Sequence, residues 1–592
     1  MIINHGLSAA LTSLWPSNET ALGSYDEWLL LYDGPDQYVK IDDFIDNLDF
    51  QPLISIILPT YNSNLDYLTQ AIESVKGQSY SNWQLCIADD ASTVKILKDY
   101  LKGLEIDERI SVTFRDTNGH ISAATNSALS LAAGEFVSFL DHDDKLHPHA
   151  LATVVAYLNK DKELDILYSD EDKIDEHGNR REPFFKPEWS PDLLLSQNYT
   201  CHLSVYRKAL IDKLKGVREG TEGAQDYDLI IRATEQTEKI KHIPHVLYHW
   251  RAVDGSTALG AQEKDYAHQK AVEVLNEALT RRNLSAEVLE TGLGAYHRIR
   301  YDLPAPVPSV SVIIPTKDRI DLLSVCLDGL LDKTNYGNFE ILVVDNNSLE
   351  ARTFEYFEMM EKNDKVSILR FPGEFNFSAI NNFAVKHSNS DVLVLLNNDI
   401  EIIHPNWLKE VVSQAIRPEI GVVGCRLYYP DDHVQHDGII IGIGGVAGYA
   451  HPRLERSKIG EFGRSKLVQN YSAVTAAALA VKRSVYEKVG GLDEKNLAVA
   501  FNDVDFCLRV AEAGYTNLYT PFAELYHHES VSRGPDTDPK KAARFEKEAL
   551  YMKKRWGAVI ADDPYYNPNL SLKHGFKLTR ERGKSWPWQK GT

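Results

Sequence analysis

The chain has 592 residues, 43% hydrophobic, 25% charged and 10% aromatic, with a formal net charge of −21. That length holds two or three domains, each with its own core. The acidic balance excludes a nucleic-acid-binding face, which needs a basic surface, and suits a protein that collects divalent cations. The five cysteines (Cys86, Cys201, Cys326, Cys425, Cys507) are too widely spaced for a zinc ribbon or a disulfide framework and fit a reducing compartment. Met1 to Trp15 lacks the basic start and long apolar run of a secretory signal, and no stretch reaches the roughly 18 apolar residues of a membrane span. The expectation is a cytoplasmic protein, soluble or peripheral at the inner membrane face.

In chain order, residues 1–51 read as an acidic, partly helical preamble. Residues 52–260 alternate β-branched strands with amphipathic helices, the pattern of a parallel-sheet α/β domain. Residues 261–308 form a linker: a helix over Tyr266 to Arg282, a strand near His297-Arg298-Ile299-Arg300, and a stiff segment at Pro304, Pro306 and Pro308. A second α/β domain is expected over 309–540 and a helical, basic tail over 541–592.

The two domains repeat each other. Ile57-Leu58-Pro59-Thr60 recurs as Ile313-Ile314-Pro315-Thr316, the strand-ending Asp89 as Asp345, Ser122 and Asn126 as Ser378 and Asn382, and Asp141-His142-Asp143 as Asn397-Asn398-Asp399. Every pair is 256 residues apart (315−59 and 345−89, for example), so the chain is a tandem duplication. The retained landmarks are mainly polar residues at strand ends, where α/β proteins bind ligands. The copies diverge afterwards: the second is longer by 21 residues around Gly442 to Val474, expected as a loop near the site.

Asp141 and Asp143 follow the apolar strand Val137 to Leu140. Residues i and i+2 at a strand end point the same way, so both carboxylates can approach one cation; a solvated acidic turn is the plainer reading. Later come Gln225-Asp226-Tyr227-Asp228, opening a helix, and Tyr248-His249. The second copy has Asn502-Asp503-Val504-Asp505 and Tyr526-His527-His528. The Asp-to-His spacing is 23 residues in one copy and 24 in the other (249−226 and 527−503).

Taken together, Pro-Thr after the first strand, a strand-ending Asp, an Asp-x-Asp, an acid opening a helix and a late His resemble the inverting family-2 glycosyltransferases of GT-A fold. The resemblance covers roughly 52–260 and 309–535. It implies two tandem GT-A (nucleotide-diphospho-sugar transferase, Rossmann-like) domains of the kind that build bacterial surface polysaccharides such as O-antigens and capsules. By resemblance, Asp89 would hold the nucleobase with Pro59 and Thr60 shaping its pocket. Asp141 and Asp143 would face the ribose and a Mn²⁺ or Mg²⁺ on the diphosphate, His249 would complete the metal shell, and Asp226 would be the general base. Asp345 with Pro315 and Thr316, then Asn397, Asp399, His527 and Asp503, would take these parts in the second copy. His528 is the alternative to His527 there. The implied partners are UDP- or dTDP-linked sugars and an oligosaccharide or lipid-linked acceptor, with one cation per active module.

Asn397 in place of Asp141 removes one charge from the second site and motivates a rival reading in which only the first module is catalytic. A non-catalytic nucleotide- or carbohydrate-binding protein is a further rival. A nucleotidyltransferase would need a glycine- and lysine-rich triphosphate loop near Pro59 or Pro315, and there is none. Gly442-x-Gly444-x-x-Ala447 mimics a dinucleotide fingerprint but does not open the first strand–helix unit of its domain. Asp170-Glu171-Asp172 is expected as a solvated turn or an acceptor contact. Trp189 is expected as a packed loop residue or a wall for a sugar ring, and Arg251 and Arg533 as diphosphate ligands or surface ion pairs. The tail sets Lys573, Lys577, Arg580, Arg582, Lys584 and Lys590 among Phe576, Trp586 and Trp588, a composition that can sit at an anionic membrane surface.

Overall fold

The computed structural model describes residues 19–252, 261–528 and 539–589. Arg533 and Lys590 lie outside the described residues. The first module is built on β1 (Ile54–Thr60), β2 (Trp83–Asp89), β3 (Ile110–Phe114), β4 (Phe136–Phe139), β5 (Lys145–Leu146), β6 (Ile166–Ile174), β7 (Arg180–Phe184), β8 (Ser204–Arg207) and β9 (Ile240–Arg251). They form one sheet in the order β3-β2-β1-β4-β8-β6-β9-β5, with β7 paired to β6. β3, β2, β1 and β4 run parallel, while β8 is antiparallel to both β4 and β6. The apolar run of β1 is buried at every position, as a central parallel strand covered on both faces requires.

The second module repeats this order. Val366–Arg370, Phe339–Asp345, Val310–Thr316, Val392–Leu396, Ala478–Lys482, Ile420–Tyr428, Thr516–His527 and Ile400–Ile402 lie side by side in the sequence in which their counterparts do. The duplication therefore extends to the whole topology.

Two of the repeated landmarks turn out to be structural. Asn126 accepts from Val217 N (2.9 Å) and donates to Val217 O (2.7 Å). Asn382 does the same with Leu492 at 3.0 and 2.9 Å. Each amide thus brackets one residue of the loop leading to the helix that carries the candidate base. The preceding glycine has a positive φ (Gly216 +73°, Gly491 +71°), and a Cβ on Gly491 would stand 2.6 Å from Asn382 Oδ1, with Gly216 still tighter against Asn126. Backbone strain and crowding point the same way, so Gly216→Ala or Gly491→Ala is expected to destabilise its module by about 2 kcal/mol. Thermal unfolding checks this; an unchanged melting temperature would show that the bracket is dispensable.

Between the modules lie the helix Ala261–Arg281 and an antiparallel pair, Ala286–Glu290 with His297–Tyr301. The modules also touch directly. Asp192 is salt-bridged to Arg417 at 2.7 Å, Asn470 bonds to Ser190 and Asp192, and the rings of Phe184 and Phe462 stack at 3.8 Å. Phe462 and Asn470 both come from the longer segment of the second copy, which therefore serves this seam. Trp189 packs there against Tyr199 (ring centroids 6.4 Å apart). The glycine-rich mimic at Gly442 leads into a short turn and the strand Ala447–Tyr449, with no helix to receive a pyrophosphate.

The tail departs from expectation. Helix Pro539–Ala561 is followed by irregular chain that folds back over both modules. Trp586 stacks on His245 (4.3 Å) and His147 (5.2 Å) and donates to Tyr32 O, while Trp588 donates to Gln37 O. Phe576 stacks on His451. The aromatic residues that looked like an interfacial anchor are packed inside the protein, leaving Lys573, Lys577 and Arg580 exposed. Among the described residues no helix is long and apolar enough to cross a membrane.

Candidate active sites

In the first module the polar residues gather where β1, β2 and β4 end. Pro59 and Thr60 close β1, and parallel register sets Thr60 opposite Asp89. Asp89 is fully buried; Oδ2 accepts from Ser92 N at 3.0 Å, and Oδ1 has no hydrogen-bond partner among the described residues. A buried carboxylate oxygen left unsatisfied is costly and suits a site that awaits a donor. Asp90, beside it, is held by Arg115 Nε at 2.8 Å and by Gly119 N.

Beyond β4 the acids separate by role. Asp141 and Asp143 face the cleft, with side chains 47% and 28% exposed. Asp144 is buried and accepts from Tyr248 OH (2.6 Å) and Arg251 N (2.7 Å). Arg251 also donates to Asp143 O at 2.6 Å and lies 4.4 Å from the Tyr67 ring centre. It is fully buried, so it is neither a diphosphate ligand nor a surface ion pair: it braces the acidic loop. Asp226 lies in the first turn of the helix Gln225–Thr234, where the helix dipole favours an acid, and accepts from Asn198 Nδ2 at 2.8 Å. Burial raises the Asp141 pKa; the charges of Asp143 and Asp226 add to the rise and His202 opposes it. Asp141, Asp143 and Asp226 therefore lie close enough for their charges to act on one another.

His249 is not brought to these acids. Neighbouring strand residues point to opposite faces, and where Tyr248 reaches Asp144, His249 turns away to Asp172, with Nδ1 at 2.6 Å from Oδ1. The imidazole beside Asp141 belongs to His202, in the loop before β8. Its Nε2 is 3.8 Å from Asp141 Oδ2, and its ring stacks on Tyr248 at 4.5 Å.

In the second module the late histidine does lie beside the strand-end residues. His527 Nε2 lies 3.2 Å from both Asp399 Oδ1 and Asn397 Nδ2, with Nδ1 on Gln435 Oε1 at 2.6 Å. His528 turns instead to Glu401. The spacing of 24 rather than 23 accounts for the difference, because one extra residue reverses which face a strand side chain takes. Sheet register agrees. Lys145 opposes His249, whereas Glu401, 256 residues after Lys145, opposes Tyr526, so His249 and His527 are not equivalent positions.

Thr316 again opposes the strand-ending acid, and its Oγ1 accepts from Asn398 Nδ2 at 3.0 Å. Asp345, however, carries a partner that Asp89 lacks: Arg370 Nη1 on Oδ2 at 2.5 Å, with Ser348 N on Oδ1. Asp503, in the first turn of the helix Asn502–Glu512, accepts from Ala476 N at 3.0 Å, and burial raises its pKa.

The Asp170-Glu171-Asp172 run corrects the expectation of a solvated turn. It lies inside β6 with all three carboxylates buried. Asp170 meets His242 (2.8 Å) and Asn567; Glu171 meets Lys186 (3.0 Å); Asp172 meets His249, Arg180 (2.6 Å) and Tyr25 (2.8 Å). A cavity of about 740 Å³ opens elsewhere, beside Asn382, Arg483 and Gly491, and is lined by none of the candidate site residues.

Sequence reasoning missed His202, gave Tyr248 no role of its own, and took Glu171 only as part of a solvated turn or an acceptor contact. His202 has no repeat partner to flag it: Val205 opposes Ser138 as Ala480 opposes Val394, which puts Ala477 at the position of His202.

Comparison with known proteins fits this geometry. The family model "Glycosyl transferase family 2" matches residues 55–215 and again 311–490. The chain is 46% identical over 552 residues to the Uncharacterized protein y4gI of Sinorhizobium fredii, covering 92% of this chain and 60% of that one. It is 39% identical over 559 residues to the O-antigen biosynthesis protein RfbC of Myxococcus xanthus, covering 94% of this chain and 43% of that one. The chain thus spans about half the length of these relatives. Among solved structures, S. aureus TarS 1-349 in complex with UDP-GlcNAc is similar at 22% identity and a TM-score of 0.31, over 39% of this chain and 72% of that one. With two family matches in register with two sheets of one topology, the chain belongs to glycosyl transferase family 2 and carries two of its GT-A modules in tandem.

Proposed function

We propose that each module transfers a sugar, with inversion, from a nucleotide-diphosphate donor to a growing bacterial surface polysaccharide such as an O-antigen or capsule. The observation that carries this reading is that strand-end polar residues (Asp141 with Asp143, Asn397 with Asp399) have an imidazole beside them and a helix-opening acid in the same module, at the ends of equivalent strands. Asp226 and Asp503 would take the proton of the acceptor hydroxyl, which is a poor nucleophile until it is removed. A direct displacement needs that one base and not the carboxylate pair of a hydrolase. Asp89 and Asp345, opposite Thr60 and Thr316, would hold the base of a UDP- or dTDP-linked donor.

The oxygen-rich clefts at Asp141 with Asp143 and at Asn397 with Asp399 suit a hard divalent cation, Mn²⁺ or Mg²⁺, with His527 among the ligands in the second module. When bound, that cation neutralises charge developing on the leaving diphosphate. The RfbC relative supports a polysaccharide product. Five free thiols and the exposed Lys573, Lys577 and Arg580 support a cytoplasmic location with a lipid-linked acceptor at the membrane.

A second reading has a specific basis. Asn397 replaces Asp141, and Arg370 already occupies Asp345, so the second module would bind acceptor while the first alone transfers. The experiment is donor consumption by the purified chain across a panel of UDP-, dTDP- and GDP-sugars, with Mn²⁺ and with EDTA. Consumption of two donors, both abolished by EDTA, is the expected result. A single donor favours the one-engine reading, and binding of nucleotide with no consumption, even with a lipid-linked acceptor, overturns the enzyme reading.

A further inference from the structure

We propose that His202 is the imidazole ligand of the divalent cation in the first module, the part His527 plays in the second. The inference rests on the metal-dependent reading above. Asp141, Asp144 and His202 each offer a ligand atom, and the three atoms lie within 4.8 Å of one another. The 3.8 Å between His202 Nε2 and Asp141 Oδ2 is a separation that two ligands can span across one cation with bonds of about 2.1 Å.

The ring is oriented for this. It lies 11° from parallel on Tyr248, which is itself fixed by donating to Asp144. Behind it, Nδ1 stands 3.6 Å from Glu171 Oε2. That is longer than a hydrogen bond, and Nδ1 has no hydrogen-bond partner among the described residues; a metal-binding imidazole commonly donates its other N–H to such a carboxylate, so Glu171 is the neighbour placed to take it. Glu171, Cys201 and His202 also approach one another, but the Lys186 ammonium sits 3.0 Å from Glu171. Positive charge on that side leaves the Asp141 side for a cation. His202 remains 20% exposed, at the cleft, whereas His249 is bonded to Asp172 on the other face.

The duplication gives an independent argument. At the position of His202 the second module has Ala477, whose carbonyl accepts from Asn397 N at 3.0 Å. That module draws its imidazole from the end of a different strand. His202 beside Asp141 and His527 beside Asp399 thus come from non-equivalent places in one fold, and His142, whose Nδ1 lies 3.8 Å from Asp143 Oδ1, is the competing imidazole of the first module. That non-equivalence explains why the Asp-to-His spacing points to His249 and misses His202.

The test uses Mn²⁺, alone and with UDP, added to the full chain carrying His527→Ala so that only the first site can show nitrogen coordination. Pulsed electron paramagnetic resonance reads the ¹⁴N coupling of a directly bound imidazole. Coupling is expected in His527→Ala and is expected to vanish in both His527→Ala/His202→Ala and His527→Ala/His202→Gln, with folding checked by circular dichroism. Glu171→Gln in the same background is expected to weaken Mn²⁺ binding about 10–100-fold while keeping the coupling. Coupling that survives loss of His202, or disappears with His142→Ala instead, overturns the assignment. Mn²⁺ binding without any nitrogen coupling sinks this inference alone. No Mn²⁺ binding, with or without UDP, sinks the metal-dependent reading with it.

Discussion

Asp226→Asn is expected to slow sugar transfer by the first module about 10²–10⁴-fold, the usual contribution of a positioned general base. The amide keeps the shape of the carboxylate and can still bond to Asn198, so the helix start and the donor site stay in place. What is lost is the proton acceptor. Because the base acts on the acceptor hydroxyl, donor affinity should be nearly unchanged while kcat falls. Asp503→Asn should do the same to the second activity only. Burial raises the Asp503 pKa, so second-module activity should fall off with decreasing pH sooner than that of an ordinary carboxylate base. Separate donor assays on each variant decide the matter. Full turnover in Asp226→Asn removes it from the catalytic role, and no effect of Asp503→Asn on either donor leaves the second module as a scaffold.

Asp172→Ala is expected to destabilise the first module by about 3–5 kcal/mol, the cost of breaking a buried ion pair from one side. Asp172 is fully buried and meets His249, Arg180 and Tyr25 at once. Without it the Arg180 guanidinium keeps one carboxylate, Asp33, and a bond to Tyr25 OH at 3.3 Å, and the His249 ring loses its anchor. For a module of this size the loss is roughly 6–20 °C in melting temperature. A variant that melts with the wild type would show that the network adds nothing to stability.

The same carboxylates set an acid limit. Burial alone would raise the pKa of Asp172, but His249 and Arg180 outweigh it and hold the value below the ordinary one. Against burial, Lys186 and His202 lower Glu171 to about 2. Groups depressed in the folded state stabilise it above their unfolded pKa of about 4, and that stability is lost as pH falls towards the folded value. Melting temperature should therefore drop between about pH 4 and pH 2, and less steeply in Asp172→Ala.

Much of the fold was legible because the chain states it twice. A fixed offset of 256 residues joined Pro59 to Pro315 and Asp89 to Asp345, and strands with apolar runs on both faces mark a parallel sheet. The strand-ending position of Asp89, Asp141 and Asp143, and the helix-opening position of Asp226 and Asp503, followed from local pattern, since backbone periodicity alone decides where an element stops. Repetition also misled. Asn126 and Asn382 recur among the strand-end landmarks, yet each holds a loop.

What only the tertiary structure decided were facts of pairing and facing. Whether His249 or His527 meets the acids turns on one residue of spacing, which period-two strands convert into opposite faces. His202 reaches Asp141 from 61 residues away (202−141), through sheet order that no local pattern encodes. Asp170, Glu171 and Asp172 read as a polar run, and only their partners on β9, β7 and the tail show why three acids can be buried together. Trp586 and Trp588 follow the same rule: amphipathic side chains look alike at a membrane and in a core until the surface that covers them is known. The sequence by itself determined the duplication, the strand-end acids and the family. The tertiary structure decided which imidazole lies beside which strand-end residues and where the tail lies, because those depend on contacts between segments distant in the chain.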